Sequence, residues 1–352
     1  MAIDRPGRKL RGGLVGCGYF SSNHLNGWRE VEDAEIVALC DLDAQTLGAT
    51  AEKFGISQTY TKASTMLESG DLDFVDVVTQ VQSHRPLVEL AASKGIHVIC
   101  QKPFAPSVAD ARDMVIACLR AGVKLMVHEN FRWQRPMRAL KEVISRGNVG
   151  DLFFARISFR SAWDVYANQP YLATDERFVL CDLGIHLLDL ARFFLGEVEQ
   201  VYARTQRVNP NIRGEDVATI VMDMEGGKTC VVEASYASRL EYEVFPQTLI
   251  HIEGSEGSAT LERGYQLTTA TAKGVEHHSV PPEAYDWSTP PGEAIQSGVV
   301  AIQRHWVDCL RRDVEPETSG SDNLRTLELV FGAYASAAER SVYRTEKSLG
   351  CW

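Results

Sequence analysis

A histidine between two carboxylates, in the middle of the chain, is the first group of residues that could do chemistry. Residues 182–189 read Asp-Leu-Gly-Ile-His-Leu-Leu-Asp, which puts Asp182, His186 and Asp189 at positions i, i+4 and i+7 of a predicted helix. A helix stacks residues with this spacing on one face. Such a histidine can be a general base, a proton carrier or a metal ligand. The structural alternative is that Asp182 caps the helix and His186 is a half-buried core residue.

A lysine follows a predicted buried strand in the segment Cys100-Gln101-Lys102-Pro103-Phe104. The carboxyl ends of parallel strands form the crevice in which doubly wound folds bind their ligands. Pro103 fixes the direction of the chain there, and a cis bond can precede it. The alternative is an ordinary solvated lysine.

A glycine-rich turn, Gly16-Cys17-Gly18-Tyr19-Phe20-Ser21, joins the first predicted strand to the first predicted helix. In this context, Gly16 and Gly18 allow a tight turn and the close approach of a pyrophosphate, which then lies at the helix N-terminus. Ser21 replaces the usual third glycine or alanine and is small enough to keep helix and strand in contact. The alternative is a glycine-rich turn that binds nothing.

The second predicted strand ends in Cys40-Asp41-Leu42-Asp43. An acidic side chain at this place accepts hydrogen bonds from the adenosine ribose hydroxyls and repels a 2′-phosphate. Asp43 is better placed to cap the next helix, so Asp41 is the ribose candidate. The cofactor predicted from this pattern is NAD rather than NADP.

The elements that must position these residues alternate between strand and helix over residues 1–130. This alternation predicts a doubly wound parallel sheet, an α/β Rossmann domain. The predicted strands are 14–15, 35–40, 74–79, 97–100 and 124–127, and the predicted helices are 22–30, 44–54, 85–94 and 107–121. Glycines 55, 95 and 122 follow three of these helices and are typical of left-handed caps.

The pattern changes after Gly150, where short strand-like runs and hairpin turns predominate. Residues 131–320 are predicted to form a second α/β domain with a large, mainly antiparallel open sheet, which binds substrate and forms oligomers. Its predicted strands are 152–160, 198–207, 217–225, 229–236, 248–253 and 258–261, and its predicted helices are 183–195 and 293–311. A closing helix, in residues 321–352, is predicted to pack back on the Rossmann domain. The proline-rich loop 279–292 is predicted to be a lid or a surface connection.

Composition excludes several classes of protein. The net charge is −11, and a nucleic-acid-binding protein normally carries a basic face. We see no run of apolar residues long enough for a membrane helix, and the basic start lacks the apolar core of a signal peptide. The eight cysteines form no CxxC pair. We therefore expect a cytoplasmic protein that binds neither nucleic acid nor a membrane.

Together these segments resemble the glucose–fructose oxidoreductase / inositol dehydrogenase / MocA-type family, over essentially the whole chain. The most specific elements are the lysine–proline segment and the Asp-x-Gly-x-His-x-x-Asp helix, which lie about 80 residues apart. The resemblance implies a Rossmann domain followed by an α/β domain with a large open sheet. It also implies a homodimer or homotetramer formed through that sheet.

The resemblance places the family's catalytic residues on Lys102, Asp182 and His186. The Thr-Pro-Pro-x-x-His loop of the family falls on residues 79–84, without its prolines, and Asn130 and Arg132 match a segment that borders the active site. The cofactor-binding residues implied are Gly16, Gly18, Tyr19, Phe20, Asp41, Thr79, Gln80, His84, Gln101, Lys102 and Asn130. The substrate-binding residues implied are Lys102, Arg132, Trp163, Tyr171, Asp182 and His186.

One position departs from the family pattern, because Gln101 stands where the family usually has glutamate. A neutral side chain there leaves Lys102 with less electrostatic pairing. Glutamine keeps the hydrogen-bonding shape of glutamate, so we expect altered tuning rather than lost activity.

The reaction that the resemblance implies is reversible oxidation of a secondary alcohol on a sugar, cyclitol or related polyol. His186 would take the hydroxyl proton, Lys102 would stabilise the developing alkoxide, and Asp182 would orient His186 and a neighbouring hydroxyl. Two alternatives remain open: an enzyme that keeps its NAD and eliminates a substituent from a glycoside, and a non-catalytic NAD-binding sensor. A metal enzyme that uses Asp182, His186 and Asp189 is disfavoured, because the other histidines show no complementary spacing.

Overall fold

The computed structural model describes residues 7–69 and 71–346, and over these residues the chain divides into two compact units. The first unit contains the described part of Met1–Glu129 together with Val299–Leu327. The second contains Asn130–Gly298 and the described part of Glu328–Trp352. The sequence interpretation assigned residues 299–320 to the second domain. They belong to the first unit, in which Gln303 donates to the backbone oxygen of His24.

Before residue 130, the described part of the first unit contains six strands and five helices. Their order is β1 (Leu10–Val15), α1 (Ser21–Arg29), β2 (Ala34–Cys40), α2 (Ala44–Phe54), β3 (Gln58–Tyr60), α3 (Ala63–Glu68), β4 (Phe74–Val77), α4 (His84–Ser93), β5 (His97–Gln101), α5 (Val108–Ala121) and β6 (Leu125–His128). The six strands form one parallel sheet in the order β3-β2-β1-β4-β5-β6. This is the doubly wound order, and it confirms the predicted Rossmann fold.

Burial explains why the central strands form. Every residue of β4, β5 and β6 is buried, as expected for parallel strands that are covered on both faces. The helices begin and end where the predicted caps lie: Ser107 accepts from the backbone N–H of Asp110, and Gly55 and Gly122 have positive φ. The amino end of α1 and the carboxyl ends of the strands are thereby fixed by the packing of the sheet.

His97, at the start of β5, should make the stability of the protein depend on pH. It is 8% exposed, and its Nδ1 accepts from the backbone N–H of Lys124 at 2.9 Å. Burial lowers the pKa of His97 from 6.5 to about 4. Because the folded pKa lies below the unfolded one, the folded state binds fewer protons at acid pH. This contribution is therefore complete above about pH 6.5 and is lost as the pH falls from there to about 4.

The expected loss is on the order of 2–3 kcal/mol of unfolding free energy between those two pH values. Urea unfolding of the wild type and of His97→Asn, which keeps an acceptor near the Nδ1 position, measures it. The variant should lose less stability than the wild type over this range. Equal pH dependence in the two proteins would show that His97 does not contribute.

The second unit begins at Asn130, and its described residues form nine strands. Its elements are α6 (Arg135–Ser145), β7 (Leu152–Arg160), α7 (Ile185–Leu195), β8 (Val198–Gln206), β9 (Val217–Met224), β10 (Lys228–Ser235), β11 (Leu249–Gly254), β12 (Gly257–Glu262), β13 (Gln266–Thr271), β14 (Gly274–Ser279) and β15 (Tyr343–Arg344). Two long helices, α8 (Glu293–Arg312) and α9 (Gly320–Glu339), each have residues in both units. The helix predicted in residues 321–352 is thus shared: residues 320–327 belong to the first unit and residues from 328 to the second.

The nine strands form one sheet in the order β14-β13-β12-β11-β7-β10-β9-β8-β15. Only β7 and β10 run parallel to each other, so the predicted mainly antiparallel sheet is confirmed. Alternate residues of β9 are buried, and the residues between them are exposed. One face of the sheet, against which α7 packs, is therefore core, and the other face is open.

Several regular elements of the fold were not predicted. They include the short β3, α3 and β15, the helix α6, and the hairpin of β13 and β14. The hairpin shows why: every residue of β14 is exposed, so its sequence carries no alternation of apolar and polar side chains. The turn predicted at residues 225–228 does join β9 to β10.

The described cysteines are free and all but Cys181 are buried. Burial raises the pKa of Cys17 to about 12 and that of Cys40 to about 11. Thiols with such values are poor nucleophiles at neutral pH, which agrees with their predicted role in the core. No helix among the described residues has the length and apolar character to cross a membrane.

Candidate active site

The loop between β1 and α1 has the shape that a bound pyrophosphate requires. Gly16 has φ of +98°, and a Cβ on it would lie 2.7 Å from the backbone oxygen of Val78, so a larger residue does not fit. A Cβ on the exposed Gly18 would meet no atom within 4 Å, so there is open space beside this residue. Ser21 is 1% exposed, and its hydroxyl donates to the Gly18 oxygen. The open loop and the N-terminus of α1 fit a diphosphate group.

Two aromatic residues complete this loop. Tyr19 is 59% exposed, whereas Phe20 is half-buried and meets the ring of His24 edge-on at 5.5 Å. Both lie beside Gly18, where cofactor contacts are predicted.

Asp41, at the end of β2, is tied to the glycine loop. Its Oδ2 accepts from the backbone N–H of Cys17 at 2.7 Å, and its Oδ1 accepts from that of Asp43 at 2.8 Å. Each carboxylate oxygen keeps a further lone pair, so Asp41 can still accept from a ribose hydroxyl. Asp43 caps α2, as predicted, and the hydrogen bond from the Thr46 backbone lowers the pKa of its carboxyl.

The predicted cofactor loop, residues 79–84, is anchored by its histidine. His84 is fully buried, with Nε2 3.0 Å from the Thr79 oxygen and Nδ1 3.1 Å from the Phe104 oxygen. Burial lowers the pKa of His84. The imidazole thus joins the loop after β4 to the segment after β5, while Gln80 is exposed and Thr79 half-buried at the start of the loop.

The end of β5 presents Lys102 and buries the residue before it. Gln101 is 8% exposed; its Oε1 accepts from the backbone N–H of Lys102 at 2.6 Å, and its Nε2 lies 2.9 Å from the Nε2 of His24. Lys102 is half-buried, and the bond between it and Pro103 is cis, as the sequence allows. Gln101 therefore supports Lys102 from inside the first unit.

In the second unit, Asp182 lies on a single π-helical turn, Leu180–Gly184, directly before α7. The prediction of one continuous α-helical face through Asp182, His186 and Asp189 is therefore wrong at Asp182, because a π-turn contains more residues than an α-turn. Such turns occur frequently at functional sites.

A buried carboxylate, Glu215, holds this π-turn in place. It accepts hydrogen bonds from the backbone N–H groups of Phe178 and Leu180 and from the hydroxyl of Tyr334, on α9, at 2.6 Å. A carboxylate at the start of a helical segment satisfies N–H groups that have no partner within the helix. Burial raises the pKa of Tyr334 well above its usual range, so Tyr334 remains a donor.

The charge of Asp182 acts on two tyrosines and one aspartate. The hydroxyl of Tyr236 donates to its Oδ2 at 3.3 Å, and burial followed by the charge of Asp182 raises the pKa of Tyr236 well above the usual value. The same two causes raise the pKa of Tyr171 to about 12 and raise that of Asp175. The charge of Asp182 therefore acts on several polar groups that a hydroxyl-rich ligand could contact.

His186 lies in the first turn of α7 and is 5% exposed. The ring of Phe131 stacks on its imidazole, with centroids 3.8 Å apart and planes 2° from parallel. The orientation of the imidazole is thus set by the short helical turn Phe131–Trp133, which includes the predicted residue Arg132.

Arg132, the residue after Phe131, forms a buried ion pair with Asp189 on α7. The Arg132 Nε donates to Asp189 Oδ2 at 2.7 Å, and its Nη2 donates to Oδ1. Arg132 is 5% exposed and Asp189 is fully buried. The structure therefore uses the third member of the predicted face, Asp189, to bind Arg132.

The remaining predicted residues, Asn130, Trp163 and Tyr171, also belong to the second unit. Asn130 is buried, and its amide donates to the Ile295 oxygen at 3.4 Å. Trp163 is 41% exposed and stacks on Phe245 with centroids 5.1 Å apart, while Tyr171 is 49% exposed and donates to Gln169. Both aromatic residues are accessible to a ligand.

Sequence reasoning missed Glu215, Tyr236, Phe131 and His24. Phe131 lies between two residues that the sequence had marked, so its position in that segment was a usable signal. Tyr236 and Glu215 follow ordinary strand and loop patterns that give no sign of the contacts they make.

Comparison with known proteins gives the class of the protein. Residues 10–129 match the model described as an oxidoreductase family with an NAD-binding Rossmann fold, GFO_IDH_MocA. Residues 137–260 match the GFO/IDH/MocA C-terminal domain. The chain belongs to this oxidoreductase family, which confirms the resemblance seen in the sequence.

Individual relatives are similar over nearly the whole chain. A D-apiose dehydrogenase from Paraburkholderia graminis is 53% identical over 94% of this chain and 88% of its own length. A D-apiose dehydrogenase from Rhizobium rhizogenes is 49% identical over 94% of this chain and 96% of its own length. A myo-inositol 2-dehydrogenase from Thermotoga maritima is 25% identical over 97% of this chain and 100% of its own length.

Among solved structures, an oxidoreductase from Agrobacterium radiobacter in complex with NAD⁺, L-tartaric acid and magnesium is 48% identical, with a TM-score of 0.95. The match covers 96% of this chain and 98% of that one. The protein is thus an NAD-dependent dehydrogenase of the class that contains these sugar and polyol dehydrogenases. Within residues 7–69 and 71–346, we find no group of three or more His, Cys, Asp or Glu side chains that could hold a metal ion.

Proposed function

We propose that the protein oxidises a hydroxyl-bearing carbon of a sugar, with D-apiose as the first candidate substrate. The observation that carries this proposal is the 53% identity, over 94% of the chain, with an enzyme named D-apiose dehydrogenase. A second relative with the same name is 49% identical, so the assignment does not depend on one protein.

The proposed chemistry removes a hydride and a proton from the same alcohol. NAD, when bound, accepts the hydride from the reacting carbon. His186 takes the hydroxyl proton while the carbon–oxygen double bond forms, so the substrate leaves as a carbonyl compound. The stacked Phe131 ring holds the imidazole in one orientation, as a general base requires.

Lys102 and Asp182 complete the proposed catalytic set. The ammonium group of Lys102 stabilises negative charge on the reacting oxygen. The hydrogen bond from the Lys102 backbone N–H to Gln101 holds the backbone of the lysine in position. Asp182 binds a neighbouring hydroxyl and orients His186. Its hydrogen bond from Tyr236 supports a charged, hydrogen-bond-accepting role.

The proposed cofactor-binding residues are the ones expected from the sequence. The open space beside Gly18 and the position of Asp41 support the diphosphate and ribose contacts. His84 is fully buried between two backbone oxygens, so we propose that it supports its loop from within. The others are Gly16, Tyr19, Phe20, Thr79, Gln80, Gln101, Lys102 and Asn130.

The proposed substrate side includes Trp163 and Tyr171, whose rings are partly exposed and suit the apolar face of a sugar. Arg132 is expected there too. Since its guanidinium is bound to Asp189, we propose that Arg132 holds α7, the helix that carries both Asp189 and His186, in position.

The test is the absorbance of reduced nicotinamide after the protein is mixed with NAD and D-apiose, other pentoses, hexoses, cyclitols and glycosides. A rise with D-apiose that exceeds the rise with the other compounds supports the proposal. The carbonyl carbon in the ¹³C NMR spectrum of the product then shows whether a lactone or a ketone forms. Release of a substituent from a glycoside without net NADH would favour the retained-cofactor alternative, and NAD binding without turnover would favour a sensor.

We also propose a homodimer or homotetramer in the cytoplasm. The open face of the nine-stranded sheet carries a row of three apolar side chains paired across neighbouring strands, Tyr202, Val221 and Val231. Tyr202 is 38% exposed and Val221 40% exposed, so this face supports an interface between copies of the chain.

Removing the hydroxyl of Tyr236 should weaken catalysis without unfolding the protein. Tyr236→Phe loses the hydrogen bond to Asp182, and we expect kcat/KM to fall about tenfold, which corresponds to one hydrogen bond to a charged group. The matched control is Tyr166→Phe, whose ring packs against the same Phe178. Steady-state kinetics should show less than a threefold effect in the control; equal effects in both variants would contradict the role of Tyr236.

A further inference from the structure

A buried chain of polar side chains connects the backbone of Lys102 to helix α1. The Lys102 N–H donates to Gln101 Oε1 at 2.6 Å, and Gln101 Nε2 lies 2.9 Å from His24 Nε2. On its other side, His24 Nδ1 lies 2.8 Å from Asp76 Oδ2, which also accepts from Trp28 Nε1 at 2.8 Å. His24 and Asp76 are both fully buried. All of these residues belong to the first unit.

The direction of every hydrogen bond in the chain follows from the backbone N–H of Lys102. This group can only donate, so the amide of Gln101 must turn its oxygen toward it and its NH₂ group toward His24. The Nε2 of His24 must then accept, which leaves its only hydrogen on Nδ1, directed at Asp76. His24 is therefore a neutral imidazole with one defined tautomer.

We propose that Gln101 is a positioning residue that keeps His24 neutral and couples the segment carrying Lys102 to the helix that follows the glycine loop. His24 lies one turn into α1, and Lys102 follows β5. One hydrogen-bonded chain thus joins two parts of the first unit. The proposed function places the diphosphate of the cofactor at the first part, the N-terminus of α1, and the reacting oxygen of the substrate at the second, Lys102.

The protonation state of His24 should depend on whether glutamine or glutamate stands at position 101, given the other groups that surround the ring. Asp76 faces it from β4, Gln101 from β5, the His128 ring from β6 at 4.1 Å, and Phe20 from the glycine loop. Gln303, from α8, donates only to its backbone oxygen. A carboxylate at position 101 can accept from both Lys102 and His24, so Gln101→Glu should turn His24 into an imidazolium. The buried chain would then contain the carboxylate of Asp76, a second carboxylate at position 101, and a positive charge on His24.

The first experiment measures this protonation state directly. Protein labelled with ¹⁵N-histidine is examined by NMR at neutral pH, and His24→Asn identifies the His24 signals. The wild type should show one protonated ring nitrogen, Nδ1, and one unprotonated nitrogen, and Gln101→Glu should show two protonated ones. A wild-type imidazolium, or a hydrogen on Nε2, would overturn the proposal without any Gln101 variant.

The second experiment tests positioning through kinetics. In Gln101→Met, the methionine side chain is similar in size to glutamine but makes neither the hydrogen bond with the Lys102 N–H nor the one with the His24 ring. We expect kcat to fall about tenfold. Gln101→Glu should lose no more than threefold in kcat, because it restores both hydrogen bonds. Full kcat in the methionine variant, or equal losses in both, would overturn the positioning role.

This kinetic part rests on the proposed dehydrogenase function, whereas the NMR measurement does not. Absence of turnover with every sugar tested, together with a neutral Nδ1–H tautomer of His24, would therefore count against the proposed function alone.

Discussion

His186→Asn is expected to lower kcat by about 10²–10⁴-fold, the usual contribution of a general base. The imidazole is held flat against Phe131 and lies at the start of α7, so asparagine removes the base while the helix remains. Lys102→Met should lower kcat by about 10²–10³-fold, the effect of removing a group that stabilises an oxyanion. NAD should still bind to both variants, because the glycine loop and Asp41 are untouched.

Steady-state kinetics with the substrate identified in the absorbance test, and calorimetric titration with NAD, measure these two quantities. His251→Asn is the matched control, because His251 is a partly exposed histidine on β11 of the second unit, which also contains His186. It should keep kcat within about twofold. Near-normal turnover in both His186→Asn and Lys102→Met would disprove the proposed mechanism.

Arg132→Met is expected to cost about 3–5 kcal/mol of unfolding free energy, the largest stability effect among these variants. The substitution removes the Arg132 guanidinium from a carboxylate, Asp189, that is fully buried. The guanidinium also lies over the ring of Phe193, 5.4 Å from the centroid, so packing is lost as well. Urea unfolding followed by circular dichroism measures the change.

A matched arginine on the surface separates burial from charge. Arg146 pairs with Glu142 on α6, and both side chains are more than half exposed. Arg146→Met should change stability by less than about 1 kcal/mol, since exposed ion pairs contribute little. The double variant Arg132→Met/Asp189→Leu should recover much of the loss, because it removes the buried carboxylate together with the guanidinium that binds it. Similar losses for Arg132→Met and Arg146→Met would contradict the assignment.

The sequence predicted the parts of the fold that depend on local patterns. Strand–helix alternation, the glycine loop and the helix caps gave the Rossmann sheet, since each depends on residues close together in the chain. Hairpin turns and apolar alternation gave the open sheet. The sequence did not give β14, which lacks an apolar face, or the return of residues 299–327 to the first unit, which depends on long-range packing.

The candidate site was predicted less completely, for a related reason. Asp182 and His186 were recognised by their types and spacing, but the π-turn that separates their helical registers has no known sequence signal. Gln101 was marked only as a departure from a family pattern. Its contact with His24 spans 77 positions of the chain, and neither residue alone indicates a hydrogen-bonded pair.

The contact between Glu215 and Tyr334 has a consequence for how the protein can be engineered. The backbone around Asp182 depends, through one carboxylate, on a phenol 152 positions further along the chain. The far end of the polypeptide is therefore part of the scaffold of the proposed active site, although it contributes no group to the chemistry. Truncations or domain fusions that reach into α9 would disturb substrate turnover before they abolish folding, whereas similar changes in the exposed β13–β14 hairpin would leave this scaffold intact.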